Sequence, residues 1–180
     1  AIELSRVVSP AITNSNFINN NEVAYLNLLN GSADFRGNYG SGNTRNVFQV
    51  LGSLTGATTF PDMPGLVYRL SSFTASAPVT VEAGAVFKFS GDYRPTFSAG
   101  LNIQGTAENP VYITSIKDDS IGGDSNGDGS SFGSKGDWGY IRLDTGTSIL
   151  DHTIIRYGGY GGRGSLYLTG ITNLTLNNST

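Results

Sequence analysis

Apolar residues two apart recur along this chain at a spacing of 22: Leu4 to Leu26, Leu26 to Phe48, Leu28 to Val50, Val79 to Leu101, Val81 to Ile103 and Ile154 to Leu176. A period in the low twenties marks a solenoid, in which no repeat buries its apolar face alone. Pairs such as Ile2/Leu4, Leu26/Leu28, Phe48/Val50, Val111/Ile113, Ile141/Leu143, Leu166/Leu168 and Leu174/Leu176 place two apolar side chains on one strand face. Leucine-rich repeats share the length but need a Leu/Asn consensus that is missing. The spacing therefore predicts an all-β coil of parallel strands. At about 22 residues per coil, 180 residues make roughly eight coils and a rod on the order of 40 Å long, in one domain over 1–180. The one weak helical pattern, 21–30, fits a strand equally well.

Composition agrees. The chain has 25 Gly and 16 Asn, with only 14% charged residues. Every coil turns several corners, and Gly and Asn supply the left-handed backbone that corners require. The clusters Asn14, Asn16, Asn19, Asn20, Asn21 and Asn173, Asn177, Asn178 read either as amide ladders along the axis or as ordinary turns. A net charge of −3 with scattered Lys and Arg gives no footprint for nucleic acid. No apolar run approaches the roughly 20 residues of a membrane helix. Zero Cys excludes disulfides and thiolate metal sites. Ala1-Ile2-Glu3-Leu4 is not a basic segment followed by an apolar one, so if the protein is exported its leader is expected to have been removed or to lie upstream.

The segment 117–137 breaks the repeat and is expected to project as a loop from one corner. Between Val79 and Gly159 the runs Val81-Glu82-Ala83-Gly84-Ala85-Val86-Phe87-Lys88-Phe89, Leu101-Asn102-Ile103-Gln104-Gly105-Thr106-Ala107-Glu108-Asn109-Pro110-Val111-Tyr112-Ile113-Thr114-Ser115, Asp118-Asp119-Ser120-Ile121-Gly122-Gly123-Asp124-Ser125-Asn126-Gly127-Asp128-Gly129, Gly136-Asp137-Trp138 and Ile155-Arg156-Tyr157-Gly158-Gly159 follow one another. This pattern carries a resemblance to bacterial exported right-handed parallel β-helix repeat proteins. It covers nearly half the chain. It implies a right-handed parallel β-helix at an extracellular or cell-surface location; it does not by itself imply an enzymatic activity.

The strongest chemical signal is Asp124-Ser125-Asn126-Gly127-Asp128-Gly129, which sets oxygen side chains at alternate positions before a turn-permitting Gly, as calcium loops do. The twelfth position is Lys135 rather than Glu, so Asp137, or Asp118 and Asp119, must complete a Ca²⁺ shell. Five carboxylates lie between Asp118 and Asp137, and a cation relieves their repulsion. The other reading is an Asp/Asn/Gly turn held by side-chain to backbone bonds.

Weaker motifs point elsewhere. Gly129-Ser130-Ser131-Phe132-Gly133 matches a hydrolase elbow but lacks the strand, helix and His partner the elbow needs, and the only His is His152. Gly159-Tyr160-Gly161-Gly162-Arg163-Gly164 precedes a strand rather than a helix and reads as a turn. Trp138 is expected to pack under the loop base, with sugar stacking as the alternative. Asn30, Asn173, Asn177 and Asn178 begin sequons.

The last coil looks unfinished, and Leu166–Thr169 with Ile171–Asn173 parallels Ile2–Ser5 with Ile12–Asn14. Neither end carries a capping pattern. The expectation is a non-enzymatic structural protein, open at both ends, that stacks head to tail on itself or continues into further coils. An adhesive or carbohydrate-binding module, with extracellular glycans as partners, is the alternative, followed by a polysaccharide lyase or hydrolase.

Overall fold

The computed structural model describes residues 2–170 and 172–180; Ala1 and Ile171, and with Ile171 one member of the end-to-end parallel, lie outside them. The strands in chain order are β1 (Ile2–Val8), β2 (Asn16–Ile18), β3 (Glu22–Asn30), β4 (Tyr39–Ser41), β5 (Arg45–Leu54), β6 (Thr58–Phe60), β7 (Val67–Ala75), β8 (Val79–Glu82) and β9 (Val86–Phe89). They continue as β10 (Thr96–Phe97), β11 (Leu101–Gln104), β12 (Val111–Ser115), β13 (Ile141–Leu143), β14 (Gly146–Asp151), β15 (Thr153–Ile155), β16 (Leu166–Leu168) and β17 (Thr172–Asn177). Each pairs in parallel with its counterpart one coil away, and the whole is a β-solenoid of about eight turns. Segment 21–30 is the strand β3. Among the described residues no helix is long and apolar enough to cross a membrane.

In the first four coils one long strand wraps two faces and bends between them. At that bend β5 slips register, and Gly52 takes a φ of +88° with Leu28 O where a Cβ would stand. In later coils the bend opens into loops. Thus β7 pairs with β9 at Tyr68 and with β10 at Thr74, and the acidic segment occupies the same corner between β12 and β13.

Leu4 lies beside Leu26, and Val79 and Val81 beside Leu101 and Ile103, at the 22-residue spacing. Elsewhere the register corrects the expectation. Leu26 pairs with Val50 and Leu28 with Gly52, while Leu176 lies beside Leu150 and Ile154 beside Tyr112. Because side chains alternate with period two, a coil lengthened by two residues keeps its apolar set inside, so the mismatch leaves no trace in the pattern.

The interior is a column of rings. Phe35 lies 5.1 Å from Phe48, Phe60 lies 5.0 Å from Tyr68, and Tyr68 stacks on Phe87 at 5.1 Å. The buried Tyr68 hydroxyl donates to Pro61 O at 2.9 Å, and burial holds its pKa well above 10.0. Asn14 and Asn19 supply left-handed corners, and Asn20 Nδ2 donates to Asn43 Oδ1 one coil on, a single ladder step.

Candidate metal centre

A second apolar cluster lies outside the solenoid. Val47 pairs with Val67, and with Val86 and Ile116 they form a buried set on the outer face, with Ile121 and Tyr112 packed against it. Only a cover can bury outward-facing valines, and loop 117–137 is that cover. It leaves β12 at the expected corner and runs back across the sheet as a strap.

Close approach explains Gly122. Gly122 adopts φ +68°, and a Cβ there would stand 2.5 Å from Val67 Cγ1. Gly122 O accepts from Asn46 Nδ2 at 2.5 Å, and Asn126 O accepts from Arg45 Nε at 3.2 Å. Gly123 O accepts from Lys88 Nζ at 2.6 Å.

The six predicted oxygen donors divide into two groups. Asp118 is buried at the strap's base, where it accepts from Thr114 Oγ1 at 2.6 Å and Ser120 Oγ at 2.5 Å and meets Arg156 Nη2 at 2.9 Å. Burial pushes its pKa up, but the Ser120 and Thr114 hydroxyls and the Arg156 charge outweigh that and hold it below 3.8. Asp137 Oδ2 accepts from Ser115 Oγ at 2.7 Å and Ser134 N at 2.9 Å. These two carboxylates tie the strap to the coil.

Asp119, Asp124 and Asp128 converge instead, each offering a carboxylate oxygen within 4.8 Å of the others. Asp124 organises the turn: Oδ1 accepts from Gly127 N at 2.7 Å and Asn126 N at 3.2 Å, and Oδ2 from Gly129 N at 2.9 Å. Desolvation raises its pKa, and these backbone donors more than offset it, leaving the group below its ordinary value. Asp119 Oδ2 accepts from Ser131 N at 2.7 Å, whereas its Oδ1 is buried with no hydrogen-bond partner. Asn126 turns its amide nitrogen to Asp128 Oδ2 at 2.8 Å. Three gathered carboxylates, one with an orphaned oxygen, suit a hard cation, which takes oxygen ligands.

Lys88 is the residue that sequence reasoning missed. It is fully buried beneath the strap. Burial pulls its pKa down to about 8, against the opposing pull of Asp119, Asp118 and Asp124. The available signal was a lysine inside the otherwise apolar run Val86–Phe89.

The remaining motifs are placed as well. Trp138 is fully buried, its Nε1 donating to Arg156 O at 2.8 Å and its ring 5.3 Å from Phe89, so it packs under the loop and offers no platform for a sugar. Ser131 braces the strap through Lys117 O at 3.1 Å. His152 Nδ1 lies 2.9 Å from Asp151 Oδ1. Tyr160–Gly162 is a 3-10 turn. The chain matches no protein-family model, no curated protein and no solved structure.

Proposed function

We propose that this chain is a non-enzymatic structural module of an extracellular surface. Its β-solenoid stacks head to tail on a second copy, or on further coils of the same kind, and Ca²⁺ stabilises its strap. One observation carries the stacking. Leu168 and Leu176 occupy the inward positions directly above Leu143 and Leu150. The lower pair is 0% exposed, whereas Leu168 is 42% and Leu176 54% exposed. Two core positions of the coil formed by β16 and β17 thus face water, beside a cleft lined by Ile155, Leu166 and Leu176. At the opposite end, among the described residues, β1 pairs only with β3, and Val8 is exposed. A parallel strand edge next to an apolar face accepts another coil by extending its hydrogen-bond ladder.

The surface location rests on the resemblance described above. Calcium rests on the convergence of Asp119, Asp124 and Asp128. Sedimentation velocity over a rising concentration series tests the stacking. The wild type is expected to form end-to-end oligomers, and the Leu168→Lys/Leu176→Lys double variant to remain monomeric. A wild type that stays monomeric at millimolar concentration contradicts stacking between copies.

A further inference from the structure

Tyr25, Gln49 and Arg69 stand on successive rungs of one outward-facing row, Tyr25 beside Gln49 and Gln49 beside Arg69. With Asn126 of the strap and the Glu22–Arg45 pair, they line a cavity of about 270 Å³. Arg45 braces its walls, since Nη1 meets Glu22 Oε1 at 2.5 Å while Nε reaches Asn126 O at 3.2 Å. The site is therefore shaped in advance, which lowers the entropic cost of binding.

Arg69 is the unusual member. Among the described residues five arginines, Arg36, Arg45, Arg94, Arg142 and Arg156, pair with a carboxylate. Arg69 is half-buried and has none. Its Nη2 donates to Ser90 Oγ at 2.8 Å and Tyr93 OH at 3.2 Å, its guanidinium lies 5.1 Å over the Tyr93 ring, and its Nε is buried without an acceptor. Neutral partners hold the side chain in place and leave its charge uncompensated, which costs free energy in a partly desolvated site. Counting Arg45 and Arg69 against Glu22, the charged lining is net positive.

A carboxylate matches the planar guanidinium and supplies the missing counter-charge. The exposed Tyr25 ring offers an apolar surface with a polar tip for the body of such a ligand, beside the Gln49 amide, which Ser71 Oγ holds at 2.9 Å. We propose that this cavity binds a small carboxylate, with Arg69 as counter-charge and Tyr25 as the platform. The carboxylate can belong to a sugar acid or to a simple organic acid.

Amide chemical-shift titrations of the purified 180-residue chain with glucuronate, glutarate and neutral glucose test this. Saturable shifts centred on Tyr25, Gln49 and Arg69 are expected with at least one carboxylate and not with glucose. Arg69→Gln is expected to weaken binding by at least about tenfold, while Arg163→Gln, an exposed arginine outside the cavity, leaves it unchanged. Tyr25→Ala distinguishes the sources: a larger loss for glucuronate assigns a sugar acid, and an equal loss an organic acid. No saturable binding, equal binding of glucose, an unaffected Arg69→Gln variant, or shifts centred elsewhere would overturn the site. Should Arg69→Gln fail to fold, the wild-type shift map and Tyr25→Ala decide the question.

Discussion

Lys88 shows how one residue carries opposing demands. Its ammonium is enclosed, which favours the neutral form, yet three carboxylates of the strap surround it and favour the charged one; burial wins, leaving a pKa of about 8. In the unfolded chain the group titrates near 10.5. Between these values the unfolded state binds the extra proton, so this residue makes stability rise with pH. Between pH 8 and 10, the wild type should gain about 2 kcal/mol relative to Lys88→Met in urea unfolding. Parallel pH curves would contradict the assignment. Asp118 behaves in the opposite sense, because its folded pKa is lowered: its stabilisation is present above about pH 4 and is lost as pH falls below. Asp118→Asn leaves Arg156 without its partner and should cost about 2–3 kcal/mol with or without calcium. Asp119→Asn and Asp124→Asn should act differently. Wild-type protein at saturating Ca²⁺ is expected to melt about 5–10 °C above the EDTA-treated form, and both variants to lose that difference. An undiminished difference in the variants removes the proposed ligands.

At the scale of the element, the strap 117–137 is a cover held by apolar contact and a few polar ties. Gly122 is where it closes on the valines, since any side chain there meets Val67 while the backbone sits at positive φ. Gly122→Ala should cost about 1–3 kcal/mol in thermal unfolding and raise the binding of a hydrophobic dye to the uncovered valines. Unchanged melting and dye binding would show that the strap does not need this approach. The loop's limits were legible because 117–137 interrupts the apolar alternation. Its course was not, because Val47, Val67 and Val86 sit beside inward residues in apolar runs, and nothing local says which of two neighbours faces out. The same period of two hid the register of β5: Val50 and Phe48 are both inward, so either one satisfies the pattern opposite Leu26. For the site, the Asp-x-Asn-x-Asp-Gly spacing singled out Asp124 and Asp128. Only the folded strap separates Asp119, which joins them, from Asp118 and Asp137, which anchor the loop.

The whole molecule is a column whose interior rings and leucines are shielded by the coil on either side. That logic needs no long-range information, which is why a spacing of 22 in the sequence was enough to reach a β-solenoid. It also states what an outermost coil lacks. Leu168 and Leu176 repeat the chemistry of Leu143 and Leu150 without the layer that buries them, and β16 and β17 each have a partner strand on one side only. Amide hydrogen exchange read by mass spectrometry across a protein dilution series reports whether a second copy covers that layer. Stacking between copies predicts that the amides of β16, β17 and β1 become protected as concentration rises, while those of β5 and β7 stay protected throughout. Exchange of β1, β16 and β17 that is fast and independent of concentration would contradict it.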